Sequence, residues 1–212
     1  MSKLDFIYNR TSIRKYTKDM IPKEHIIEIL KAGTYAPSGK NIQNWHFAVL
    51  TNENKINSIA KCILDKGNEL SNKVVNDDDR HSFLNMLPYY TAFKTAPVLI
   101  LVYASKYPNT EYNILKLAGQ PEELLDKALF SNPGIQNIGA AMENILLAAS
   151  AMGYGTCWMT GPNFARKEIV KYTEFEKDGF ELVCMTPLGI PSDVKNIRPK
   201  RKPIEEVITF ID

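Results

Sequence analysis

Ala36-Pro37-Ser38-Gly39-Lys40-Asn41-Ile42-Gln43-Asn44-Trp45 joins two stretches of different hydrophobic period. Upstream, Pro22 and Glu24 suit a first helical turn, and Ile26, Ile27, Leu30 and Gly33-Thr34 recur at helical spacing. Downstream, Trp45, Phe47 and Val49 alternate with His46 and Ala48, the period of a strand over 45–50. Pro37 and Gly39 stop the helix. Ser38, Asn41 and Gln43 then place hydrogen-bonding groups where a plain connection needs none. Polar loops between rigid elements are common ligand sites, and the same residues equally suit a simple helix-stop loop.

Working outward, Val98-Leu99-Ile100-Leu101-Val102 is apolar without a break, so a strand over 96–103 should be covered on both faces. Asn132-Pro133 supplies a cap and a first-turn proline. Behind it Ile135, Ile138, Met142, Ile145, Ala149 and Met152 fall at steps of three and four, until Gly153 ends the helix. Ala140, Ala141, Ala148 and Ala151 widen its apolar surface, which suits a monomer core and a subunit interface at once. Further helices are expected over 4–8, 56–64 (capped by Thr51 or Asn54), 122–130 and 163–172 (capped by Asn163). Shorter strands are expected over 156–159 and 180–188. Asp77-Asp78-Asp79 lacks the spaced oxygen ligands and glycine of a calcium loop, so it reads as a solvated turn. The apolar residues of 204–210 must pack somewhere. His46 reads as a structural residue of its strand.

With 212 residues, the chain suits one domain over 1–212. Lys and Arg number 26 against 24 Asp and Glu, which argues against a dedicated nucleic-acid binder. Cys62, Cys157 and Cys184 form no CxxC pair, so they read as reduced thiols of a cytoplasmic protein, with no metal site. No apolar run reaches the roughly 18 residues of a membrane span, and the first residues lack a signal-peptide pattern.

Two basic clusters remain. In Asn9-Arg10-Thr11-Ser12-Ile13-Arg14-Lys15-Tyr16, an extended backbone puts Arg10, Ser12 and Arg14 on one side, and Thr11, Ile13 and Lys15 on the other. Two guanidiniums flanking a hydroxyl suit a phosphate, although charge clusters are usually just solvated. The other cluster is Pro199-Lys200-Arg201-Lys202-Pro203. Between them, Thr160-Gly161-Pro162 offers a glycine at which backbone could approach a flat ligand.

Four stretches, in order, resemble the nitroreductase family. Arg10 to Tyr16 is similar to its R-x-S-x-[RK]-x-[YF] start, and Ala36 to Trp45 to its A-P-S-x-x-N-x-Q-x-W loop. Ala148-Ala149, Met152-Gly153-Tyr154-Gly155-Thr156 and Trp158 resemble its A-A…G-x-G-x-x-W segment, and Arg201 to Val207 its R-K-P-[LI]-E-E-[VI] ending. The resemblance implies an α+β fold with a central, mostly antiparallel sheet surrounded by helices, built as an intertwined homodimer. It implies flavin mononucleotide (FMN) at the dimer interface, reduced by NADH or NADPH and reoxidised by a small electron-poor acceptor such as a nitroaromatic or quinone.

It assigns Arg10 and Ser12 to the phosphate and ribityl end of FMN, counts Thr11 among the cofactor-binding residues, and assigns Arg14 to the pyrimidine edge. Pro37, Ser38, Gly39 and Asn41 would reach FMN from the other subunit. Thr160 and Gly161 would line the ring, and Arg201 would return to the phosphate. No catalytic acid or nucleophile is implied. Where the family loop often reads Q-P-W, Asn44 stands in place of proline, and a less rigid loop is expected. The same residues also fit a flavin store or sensor, or a same-fold dehalogenase or dehydrogenase.

Overall fold

Four strands, Trp45–Leu50 (β1), Val98–Ser105 (β2), Gly155–Thr156 (β3) and Phe180–Gly189 (β4), form one antiparallel sheet in the order β1-β2-β4-β3. The computed structural model describes residues 3–192 and 199–211. Eight α-helices surround the sheet: Asp5–Asn9 (α1), Lys23–Thr34 (α2), Glu53–Ser71 (α3), Asp77–Tyr90 (α4), Thr110–Leu117 (α5), Glu122–Ser131 (α6), Pro133–Ala151 (α7) and Arg166–Val170 (α8). This is the α+β architecture expected from the sequence.

Every residue of β2 except Ser105 is buried. Val98, Ile100 and Val102 meet Ile26 and Ile29 of α2 and Ile138, Met142 and Ile145 of α7 in one core. Leu99, Leu101 and Tyr103 meet Ile56, Ile59 and Ile63 of α3 in the other. Helices therefore cover both faces of the sheet, and that is why the β2 sequence shows no alternation. Each fully buried aliphatic side chain contributes about 1.5–3 kcal/mol.

On α2 the buried face is Ile26, Ile29 and Gly33, while Ile27 is 56% exposed. The helix expected over 56–64 runs on to Ser71, capped by the Asn52 side chain at Lys55 N, 3.1 Å. Its polar second half stays helical through Lys61–Asp65, Lys66–Glu69 and Glu69–Lys73 pairs at helical spacing. The Asp77-Asp78-Asp79 run is no turn but the first turn of α4, capped by Asn76. Carboxylates there face the positive end of the helix dipole.

The helix expected over 163–172 is instead a short 3₁₀ turn, Gly161–Ala165, followed by α8. Asn163 lies inside that turn and donates to Val183 O. Val183 is the residue skipped where the β2–β4 register shifts, so the bulge carbonyl gains a partner. The strand expected over 156–159 is reduced to β3 plus a lone bridge from Met159 to Met185. His46 stacks on Phe175 with ring centroids 4.4 Å apart, as a structural residue would.

Ala141 is fully buried in the α2–α7 core, so it belongs to the monomer rather than to an outer face. We expect Ala141→Glu to place an unpaired charge there and cost at least about 3 kcal/mol. Thermal unfolding checks this, and an unchanged Tm would contradict the packing.

Candidate functional site

The chain after α1 is pinned along β3. Ser12 bridges Thr156 in the parallel sense, and Ile13 N donates to Thr156 O at 2.8 Å. Tyr16, 6% exposed, donates its hydroxyl to Ile13 O and bridges Pro191. With these residues anchored, Arg10, Thr11, Ser12 and Arg14 line a cavity of about 340 Å³, together with Tyr8, Pro199 and Arg201. Two segments about 190 residues apart in sequence thus meet at one cavity, and each contributes guanidinium. Strict alternation is not kept, since Thr11 also lines the cavity. The segment is a pair of isolated bridges and not a regular strand.

The charge there is only partly balanced. Arg10 Nε lies 3.8 Å from Glu143 Oε1 on α7, and Arg201 donates to Pro199 O at 3.2 Å. Among the described residues, no carboxylate pairs with Arg14 or Arg201. Guanidiniums reaching one cavity from two segments can receive an anion able to accept several charge-assisted hydrogen bonds. Behind Ser12 sits Cys157, 5% exposed. Burial pushes its thiol up from the ordinary value, while Arg14, Ser12 and Arg10 pull the other way. Burial also pushes Cys62 up to about 11 and Cys184 up to about 12.

The loop before β1 has a demanding backbone. Lys40, Asn41 and Gln43 have φ of 56°, 52° and 47°. Such left-handed conformations cost non-glycine residues roughly 1–2 kcal/mol each, less for asparagine. Hydrogen bonds offset this: Asn41 N to Ser38 O at 2.9 Å, and Gln43 N to Ser38 Oγ at 3.1 Å. Gly39 N donates to Asn137 Oδ1 at 3.1 Å, and the Tyr107 hydroxyl leaves no room for a side chain on Gly39. The looser loop expected from Asn44 is not found. Asn44 is 2% exposed, donates to Ser105 O and Gly134 O at 3.2 Å each, and accepts from Asn137 Nδ2 at 2.9 Å.

Thr160 lies elsewhere, on a cavity of about 850 Å³ that Tyr107, Asn132, Ile135 and Asn163 also line. Gly161 abuts the Tyr90 ring, whose Cδ1 would stand 2.5 Å from any Cβ there. Within one chain, then, Arg10, Thr11, Ser12, Arg14 and Arg201 come together. Pro37, Ser38, Gly39, Asn41, Thr160 and Gly161 do not line their cavity. Sequence reasoning missed Tyr8, Tyr107, Glu143 and Asn137. The last two carried a signal: Glu143 is the sole charge in α7, and Asn137 is a polar residue on its buried face.

The model of the nitroreductase family matches residues 7–190. The chain is 28% identical, over 91% of its length and 87% of the other's, to a protein of Archaeoglobus fulgidus provisionally named NADH dehydrogenase/NAD(P)H nitroreductase. It is 26% identical to an iodotyrosine deiodinase of Thermotoga neapolitana, over 97% of both chains. Among solved structures it resembles a BluB-like flavoprotein from Clostridium difficile 630, with TM-score 0.93 and 38% identity over 100% of both chains.

Because burial disfavours each thiolate, the native protein at pH 7.5 should present no fast-reacting thiol to a disulfide reagent. All three should react after denaturation. A rapid stoichiometric reaction of the folded protein would contradict the burial described.

Proposed function

The chain belongs to the nitroreductase family, and from that premise we propose that it is an FMN-dependent NAD(P)H oxidoreductase acting on a small electron-poor acceptor. The observation that carries this reading is the cavity where Arg10, Ser12, Arg14 and Arg201 meet. A phosphate monoester brings nearly two negative charges and three acceptor oxygens, which match guanidiniums arriving from two directions. The donor set therefore fits FMN. Arg10, Ser12 and Arg201 would hold the phosphate end, with Thr11 beside them in the cavity. Arg14 would face the pyrimidine edge, where a cation would favour the reduced, anionic form of a flavin. Thr160 and Gly161 border the ring, and Pro37, Ser38, Gly39 and Asn41 close over it from a second copy of the chain.

When bound, FMN would supply two-electron redox chemistry between a nicotinamide and the acceptor. The protein's part is to bind, to orient and to leave one ring face open. A single site serving reductant and acceptor in turn gives ping-pong kinetics. No side chain of the arginine cavity is asked to act as acid, base or nucleophile.

The second copy has support in this chain. Ile204, Val207, Ile208, Phe210 and Ile211 are 45–92% exposed, so the tail does not pack on its own body. β1 is an edge strand, and beside it Met20, Ile21, Ile26, Ile27, Leu30 and Val49 line an apolar cavity of about 480 Å³. A partner's tail would cover such a surface and form an intertwined homodimer. The three buried free cysteines support a cytoplasmic setting. No helix among the described residues is long and apolar enough to cross a membrane.

A second reading, reductive dehalogenation of a halogenated aromatic, is favoured by the likeness to an iodotyrosine deiodinase over 97% of the chain. Turnover assays with a nitroaromatic, a quinone and a halotyrosine separate the two. A flavin store, by contrast, need not admit nicotinamide at all.

Arg10→Ala should weaken FMN binding roughly 10- to 150-fold, the equivalent of one or two charge-assisted hydrogen bonds, while the protein stays folded. Unchanged flavin retention would remove the phosphate assignment. Anaerobic NADH or NADPH should bleach the bound flavin within seconds; failure with both would favour storage. Ending the chain after Pro203 should shift the dimer to monomer in sedimentation, and a stable dimer without residues 204–212 would refute the tail's role.

A further inference from the structure

The 37–43 loop and the helical excursion α5–α6 are tied at one buried point. Asn44 Nδ2 donates to Ser105 O, where the excursion leaves β2, and to Gly134 O, where it returns to α7. Asn44 Oδ1 accepts from Asn137 Nδ2, and Asn137 Oδ1 accepts from Gly39 N. Both asparagines lie below the surface, at 2% and 7% exposure. Each amide is used on both its oxygen and its nitrogen side, so the two orientations are mutually fixed. Around them, Tyr107 packs against Gly39 and Gly134, and Lys40 Nζ donates to Thr110 Oγ1 at 2.9 Å.

We propose that Asn44 and Asn137 are a positioning pair that holds the 37–43 loop in its cofactor-receiving shape, with side-chain hydrogen bonds doing the work of a rigid backbone residue. The proposal rests on the reading that this loop meets FMN carried by a second copy of the chain. Three non-glycine residues of the loop have positive φ. A segment like that relaxes to other conformations once its external ties are cut. The tie to α7 runs through Gly39 N, in the middle of the Ser38-Gly39-Lys40-Asn41 stretch that would touch the cofactor. A loop that samples other shapes binds more weakly by the fraction of time it is misplaced.

The pair is a positioning device and not a catalytic one, so the test compares it with an equivalent bond elsewhere. Asn144 also lies on α7, and its Nδ2 donates to Ala32 O at 3.1 Å, away from the loop. Apo protein is titrated with FMN by flavin fluorescence, and hydrogen exchange is followed over the 38–43 amides without flavin. Asn137→Ala removes the acceptor of Gly39 N. Asn44→Asp is isosteric but sets oxygen against the Ser105 and Gly134 carbonyls, and either variant serves if the other fails to fold.

Each variant should raise the FMN Kd roughly tenfold and speed exchange in the loop. Asn144→Ala should lower Tm to a similar extent and leave FMN affinity unchanged. If FMN affinity holds in both loop variants, or falls equally in Asn144→Ala, the proposal is overturned. Arg10→Ala is run alongside. Weakened binding in that variant alone overturns the positioning pair and spares the functional reading, whereas a wild-type protein that takes up no FMN overturns both.

Discussion

Three guanidiniums that converge on one cavity repel one another, and something must hold them there until an anion arrives. Arg10 and Arg14 come from the segment after α1, and Arg201 from a stretch near the other end of the chain. Their placement depends on how firmly each backbone is anchored. For the first two, the anchors are the Ser12–Thr156 bridge, the Ile13–Thr156 hydrogen bond and the buried Tyr16. Glu143 relieves part of the repulsion from the side, at 3.8 Å from Arg10, a distance that gives weak attraction without saturating the guanidinium. The site is electrostatically incomplete by construction, the usual condition of a preorganised anion receptor.

The sheet serves this arrangement. β2 is buried on both faces and fixes β4 beside it, and β4 in turn holds β3, against which the arginine segment lies. The same sheet presents β1 at its other edge, near the loop that the asparagine pair ties down. The two candidate halves of the binding site, arginines on one side and the Ser38-Gly39 loop on the other, hang from opposite edges of one rigid layer. Such separation explains why a single chain does not bring them together.

Much of the architecture was legible because it rests on local signals. The unbroken 98–102 run, the Asn132-Pro133 start and the alternation from Trp45 each correspond to an observed element. The failures have physical causes. The polar second half of α3 has no apolar stripe to announce it and is held by ion pairs at helical spacing. The Asp77-Asp78-Asp79 run looks like a solvated turn in isolation, and only the Asn76 cap reveals a helix start. Over 163–172 the structure departs from the expected helix because the Asn163 side chain donates to the bulge carbonyl of Val183 instead of capping a helix. At the site, the arginine cluster was visible as charge spacing, but the network through Asn44 and Asn137 joins residues 93 apart and could not be read from either neighbourhood alone.

The central claim is that the arginine cavity recognises the phosphate of a flavin nucleotide. The direct measurement is the affinity of the apo protein for FMN against that for riboflavin, which carries the same ring and ribityl chain without the phosphate. Fluorescence titration at two ionic strengths is expected to show FMN bound at least about a hundredfold more tightly, with the difference shrinking as salt rises. Equal affinities for the two flavins, insensitive to salt, would contradict the account.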